Sequence, residues 1–193
     1  ASGISLLSAQ QMPTREALAQ LRAKAEQGDA QSQFELGGAF YSGKFGLGTN
    51  HVGAVKWYRR AAEQNFALAQ NNLGFCYSQG QGVAKDAAEA VKWWRMAADQ
   101  NYVKAQNNLG RVYMRGDGVP KDVVEAYKWA TLAVKGGWAP AEKAQTEISL
   151  ELSAAQLRQA LQLVRDFKPQ MPTTGDEKPF SGTVRSEGDV GGD

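Results

Sequence analysis

Ala69-Gln70-Asn71-Asn72-Leu73-Gly74-Phe75-Cys76-Tyr77 is answered 36 residues later by Ala105-Gln106-Asn107-Asn108-Leu109-Gly110-Arg111-Val112-Tyr113. Each stretch is followed by Gly-x-Gly-Val and then by Ala-x-Lys-Trp, at Gly80 to Val83 with Ala90 to Trp93, and at Gly116 to Val119 with Ala126 to Trp129. Gly82 and Gly118, Lys92 and Lys128, and Trp93 and Trp129 keep the same interval, which chance does not produce. A fixed period of this length marks a repeat array, and arrays act through an extended surface rather than a buried catalytic pocket.

An earlier copy reads Ser32-Gln33-Phe34-Glu35-Leu36-Gly37 and then Ala54-Val55-Lys56-Trp57-Tyr58. Its Leu36 lies 37 residues before Leu73, and the Gly-rich connector from Ser42 to Gly48 carries the extra residue. Upstream, Ala17 to Gly28 matches the second half of a unit, and downstream Trp138 to Leu150 matches a first half in degenerate form. Atypical ends of this kind cap a solenoid. The expected organisation is a flexible segment over 1–14, a half-unit over 15–29, units over 30–66, 67–102 and 103–137, capping helices over 138–167 and a disordered tail over 168–193.

Each unit reads as two antiparallel helices, because apolar residues recur three and four apart: Ala69, Leu73, Cys76 and Tyr77 on one, Ala90, Trp94, Ala97 and Ala98 on the next. Small residues on one helix admit Trp and Tyr rings from its partner, so the axes approach closely. Asp86-x-x-Glu89 and Asp122-x-x-Glu125 open the second helices with Asp caps and a Glu three residues on, a spacing that predicts reciprocal capping. Asn50-x-x-Gly53 is a weaker version, and Ser153-Ala154-Ala155-Gln156 opens a last helix to about Phe167, with Leu157, Leu161 and Val164 on the face that covers the final repeat. The fold class is therefore all-α: a right-handed superhelical solenoid of antiparallel helix pairs.

The pattern Ala-x-Ala-Gln-x-x-Leu-Gly-x-x-Tyr, then Gly-x-Gly-Val-x-x-Asp, then Glu-Ala-x-Lys-Trp and Ala-Ala resembles the Sel-one-like repeat (SLR), a relative of the tetratricopeptide repeat (TPR). Unit two carries nearly all of it from Ala67 to Gln100, unit three from Val103 to Gly136, and the likeness extends over roughly Ala17 to Phe167. Departures are local: Asn50 and Gly53 replace the capping pair in unit one, Ala84 stands where unit three has Pro120, and the last half-unit lacks its Leu-Gly. The resemblance implies a non-catalytic adaptor or scaffold for protein complexes, without cofactor, and favours a bacterial periplasmic or secreted location. A cysteine-rich branch linked to β-lactam binding relies on paired cysteines, and this chain has only Cys76.

Composition narrows the function classes. A net charge of +2 gives no argument for nucleic acid, and no window approaches about 18 consecutive apolar residues, the length a membrane span needs. One cysteine makes no intramolecular disulfide or thiolate cluster, and Cys76 falls on the buried stripe as a small apolar residue. Residues 168–193 hold Pro169, Pro172 and Pro179 with few large apolar side chains, which predicts a tail that does not fold alone, or one that occupies a groove through Phe180. Ala1 to Met12 lacks the charge and apolar core of a secretory signal.

Features that invite chemistry have plainer explanations. Gly46-x-Gly48, Gly80-x-Gly82 and Gly116-x-Gly118 join two helices rather than a strand and a helix, and no Gly-Lys-Ser/Thr follows, so they are turns rather than phosphate cradles. His51 is the sole histidine, and nothing recurs around it to build a catalytic or metal site. Trp57, Trp93 and Trp129 have the regular spacing of a saccharide-stacking ladder, which core packing explains equally.

With the buried stripe subtracted, the first helices present one remaining face. Unit one places Gln31, Phe34, Glu35, Gly38 and Tyr41 there, unit two Leu68, Asn71, Asn72, Phe75, Ser78 and Gln79, and unit three Lys104, Asn107, Asn108, Arg111, Met114 and Arg115. Stacking would align these into a concave groove, aromatic at the N-terminal end, amide-rich in the middle and basic at the C-terminal end. Phe34, Tyr41 and Phe75 would receive apolar side chains, Asn71, Asn72, Gln79, Asn107 and Asn108 would meet a peptide backbone, and Lys104, Arg111 and Arg115 would pair with carboxylates. The expected partner is a protein or peptide, acidic or ending in a free carboxylate, by resemblance to the carboxylate clamps of TPR proteins. A peptidoglycan or saccharide binder, a β-lactam hydrolase and a self-assembling scaffold are the alternatives; the sequence leaves the oligomeric state open.

Overall fold

Six helices of 13 residues follow one another because the same start and stop signals recur: α2 (Ala30–Ser42), α3 (His51–Glu63), α4 (Ala67–Gln79), α5 (Ala87–Asp99), α6 (Val103–Arg115) and α7 (Val123–Lys135). The computed structural model describes residues 6–170, with side chains from Arg15 onward, so 1–5 and 171–193, which hold parts of the expected flexible ends, lie outside the described residues. Helix α1 (Leu6–Glu26) precedes the six, and α8 (Pro140–Ser149) and α9 (Ala154–Asp166) follow them. The described residues form helices and no strands. Each helix packs on its successor from α1 to α8, and α9 packs back on α7 as the expected cover. This is the stacked helix-pair solenoid read from the sequence. The helical backbone begins upstream of residue 15, and at the other end the Gln170 N–H donates to the Asp99 carbonyl at 2.7 Å.

Gly43, Gly80 and Gly116 end α2, α4 and α6 at φ 71°, 71° and 78°, the left-handed region that glycine enters without steric cost. Asp86 and Asp122 cap α5 and α7, each side chain accepting two backbone N–H groups at 2.9–3.0 Å. The reciprocal half of the predicted capping is absent. The Asp86 and Asp122 backbone N–H groups already donate to the Tyr77 and Tyr113 carbonyls at 3.0 and 2.9 Å, leaving nothing for the glutamates to accept. Glu89 turns instead to Lys92 at 3.2 Å, and Glu125 to Lys128 and to the Trp129 indole N–H at 2.8 Å. Among the described residues the two-way box forms only at Ser153 and Gln156.

Close helix approach follows the small-against-large rule. A Cβ on Gly74 would lie 2.7 Å from the Trp94 ring, whose Nε1–H donates to the Asn71 carbonyl at 3.1 Å, and one on Gly37 would lie 2.7 Å from the Tyr58 ring. Between units, the Arg59 and Arg95 guanidinium groups stack on Tyr77 and Tyr113 at 5.6 and 5.4 Å and donate to their hydroxyls. On α9 the buried face is Ala160 and Val164 with half-buried Leu157 and Phe167, while Leu161, expected on that face, is exposed. Phe167 meets Trp129 edge-on at 5.6 Å, which turns the packed face of α9 toward α7.

A polar ladder runs through the apolar stack. Buried Gln33, Gln70 and Gln106 donate Nε2–H to the carbonyls of Ala25, Ala62 and Ala98 at 3.0, 3.2 and 3.3 Å, fastening each first helix to the end of the preceding second helix. Gln64 and Gln100 donate to the Gln33 and Gln70 carbonyl oxygens, both at 2.7 Å. Gly136 occupies the next position in that series, and the Gln106 Oε1 atom accordingly finds no partner among the described residues.

Burial also shapes the response to alkali. It pushes the Cys76 thiol up from 9.0 to about 11 and the Tyr58 phenol from 10.0 to about 12. Both acids are held neutral in the folded chain, so the stability they lend is complete below the unfolded values and is lost as pH rises through the folded ones. The urea midpoint is expected to be level to about pH 9 and to fall above it, and Cys76→Ala is expected to shallow the first part of that fall. A midpoint insensitive to pH up to about 11 would contradict this assignment.

Candidate functional site

The face formed by the first helices differs along its length because side-chain size differs at two recurring positions. Tyr41, Ser78 and Met114 occupy one of them, and His51, Ala87 and Val123 the other. In unit one the Tyr41 ring lies 4.8 Å from that of His51 and its hydroxyl donates to Gln81 Oε1 at 2.6 Å, so the space between α2 and α4 is filled by protein. Burial raises the Tyr41 phenol above its ordinary value. Phe34 is half-buried as well, packed on Tyr58 at 5.8 Å and Phe66 at 5.5 Å. The structure therefore places Phe34 and Tyr41 in internal contacts rather than on an open aromatic surface.

The amides in the middle bind one another. Asn71, only 8% exposed, donates to Asn72 Oδ1 and accepts from Asn108 Nδ2, each at 3.2 Å, joining α4 to α6. Beyond them small Ser78 and Ala87 leave a cleft of about 460 Å³ between α4 and α6, floored by Ala90 and Trp94 and rimmed by Phe75, Gln79, Lys85 and Asp117. A second cleft of about 300 Å³ lies between α6 and α8, lined by Asn107, Met114, Pro140, Ala144 and Ile148, with Lys143 and Glu147 at its edge. Arg111 and Arg115 line both.

The two arginines, four residues apart and exposed, form a positive ridge on α6. The ion pairs among the described residues join Lys92 to Glu89, Arg95 to Glu125, Lys121 to Glu151 and Lys128 to Glu125, and leave Arg111 and Arg115 out. Like charges at this spacing repel by a few tenths of a kcal/mol, which a bound carboxylate relieves while accepting charge-assisted hydrogen bonds from the guanidinium fork. Lys104 stands apart, its ammonium 5.1 Å from the Trp138 ring centre. Phe75, Gln79, Asn107, Asn108, Arg111 and Arg115 are thus brought together. The contribution of α8 was missed from the sequence, because its degenerate half-unit hid Pro140, Ala144 and Ile148 as neighbours of the arginines.

Other candidates for chemistry are packed away. Trp93 and Trp129 are buried, and Trp57 is half-covered with Arg60 stacked on it at 4.6 Å. Cys76 is buried and its thiol held protonated. Among the described residues no cluster of three His, Cys, Asp or Glu side chains could hold a metal ion, and no helix is long and apolar enough to cross a membrane.

Fold and face together define an α-solenoid of helix-pair repeats with an open cleft surface on its first helices. The chain belongs to the Sel1 repeat family, whose model matches residues 30–66, 67–102 and 103–138. Repeats of this family generally mediate protein–protein interaction on a scaffold that is typically non-enzymatic. Among solved structures, a Sel1 repeat protein from Oxalobacter formigenes is 38% identical, covers 68% of this chain and 98% of its own, and superposes with a TM-score of 0.62. The protein c5321, a protective antigen of uropathogenic Escherichia coli strains with an SLR fold, is 30% identical with a TM-score of 0.60. That match covers 79% of this chain and 40% of the antigen. A search of curated proteins gave no match.

Proposed function

We propose that this protein is an interaction adaptor that takes an acidic segment of a partner protein, internal or ending in a free carboxylate, against the α4, α6 and α8 face. The observation that carries this reading is the ridge of Arg111 and Arg115, exposed, unmatched by an acid within ion-pair range among the described residues and flanked by two clefts. A saccharide reading lacks support of this kind, since the regularly spaced tryptophans lie in or against the core. In affinity capture the wild-type chain is expected to retain a partner that the double variant Arg111→Glu/Arg115→Glu releases, a reversal of charge costing about 3 kcal/mol or more, or over a hundredfold in affinity. Circular dichroism should show the variant folded, because both side chains are exposed. Equal retention by both chains would remove the ridge from the binding site.

A further inference from the structure

We infer that the segment bound here carries two apolar side chains three residues apart with a carboxylate between them, held in a polyproline-type extended conformation. This rests on the peptide-binding reading above and specifies its ligand. The argument starts from the two clefts, which share Arg111 and Arg115 as a common wall. Each has an apolar floor, Ala90 and Trp94 in one, Ala144 and Ile148 in the other, and each is large enough for an aliphatic side chain. A ligand filling both must cross the arginine ridge, where a carboxylate is the complementary group.

The spacing selects the backbone. The two clefts lie on either side of α6, so their centres are separated by about the thickness of one helix, about 10 Å. Three residues of polyproline II backbone advance about 9.3 Å and return to the same side, which places side chains i and i+3 in the two clefts. A β-strand covers a similar distance in three residues but points those two side chains to opposite sides. The polyproline form also leaves its backbone polar groups solvated, which suits a face whose Asn71, Asn72 and Asn108 amides already bind one another.

Unit one supplies the perturbation. Tyr41 closes the corresponding space between α2 and α4, so Ser78→Tyr should fill the α4 and α6 cleft and Met114→Tyr the α6 and α8 cleft, each importing a side chain that the same repeat position already accommodates. The probe is a fluorescein-labelled, C-terminally amidated peptide, Gly-Leu-Glu-Pro-Leu-Gly, titrated against the full chain by fluorescence polarisation. Replacing its Glu by Gln should weaken binding about tenfold, and inserting one Gly before the second Leu about fivefold. Ser78→Tyr and Met114→Tyr should each weaken it about tenfold, with melting temperatures near that of the wild type confirming the fold.

If the two tyrosine variants bind the probe as the wild type does while Arg111→Glu/Arg115→Glu does not, the acidic-segment reading stands and the two-cleft ligand is overturned. If the charge-reversed chain also binds normally, the reading beneath it falls too. Displacement of the probe by a synthetic peptide of residues 171–193 at low micromolar concentration would assign the clefts to the chain's own terminus and overturn the proposal of a separate partner.

Discussion

Gly82→Ala is expected to destabilise the protein by about 3–4 kcal/mol, while Gly46→Ala at the equivalent position of unit one costs about 1 kcal/mol. Both glycines lie four residues before a second-helix cap, and both have φ 72°, where an added Cβ is strained by its own backbone. Only Gly82 is also crowded. Its Cβ would stand 2.2 Å from the His51 carbonyl oxygen, whereas nothing described lies within 4 Å of one on Gly46. The obstacle at Gly82 is the backbone at the start of α3, which moves only with the whole preceding unit. Urea unfolding of the two variants separates strain from collision, since strain is common to both. Equal losses would show that the repeat junction yields to the extra atom.

Trp129→Ala is expected to cost about 4 kcal/mol, the middle of the range for emptying an aromatic site in a core. The indole is fully buried, its N–H donates to Glu125 at 2.8 Å, and Arg95 and Lys128 lie 4.9 and 4.4 Å from its ring centre. Phe167 packs on its edge, so its removal also loosens the cover that α9 lays over the last repeat. Trp93, one unit earlier, differs in a way that a gentler substitution reveals. Its buried Nε1–H has no partner among the described residues, so Trp93→Phe should cost under about 1 kcal/mol. Trp129→Phe leaves Glu125 short of a donor and should cost about 2 kcal/mol. Calorimetric melting of the two phenylalanine variants checks the difference, and a Trp93→Phe loss as large as that of Trp129→Phe would show that the indole N–H carries no weight.

The glutamine ladder shows how a signal present in the sequence escapes a reading of hydrophobic period. Gln33, Gln70 and Gln106 recur inside an otherwise apolar stripe, and in the fold each donates to the end of a neighbouring helix. Recurrence of a polar residue at a core position marks a required hydrogen bond, because an unpaired amide there costs about 1–3 kcal/mol. The capping glutamates erred in the other direction. Their spacing matched a two-way box, but the N–H they would have accepted was taken by a carbonyl from the preceding helix of the same unit.

By itself the sequence determined the period, the pairing of helices, the glycines at the turns and the buried stripe. These follow from the chain's own geometry: a helix repeats every 3.6 residues, and caps and left-handed turns are satisfied by residues a few positions away. Only the tertiary structure decided which part of the exposed face is open. That outcome depends on side chains from different units meeting in space, with Tyr41 and His51 filling one junction, Ser78 and Ala87 leaving the next one empty, and α8 closing the far wall beside Arg111 and Arg115. Residues on one helix fix what a face contains, but the volume left between helices is a difference between neighbours, and it exists only once they are packed.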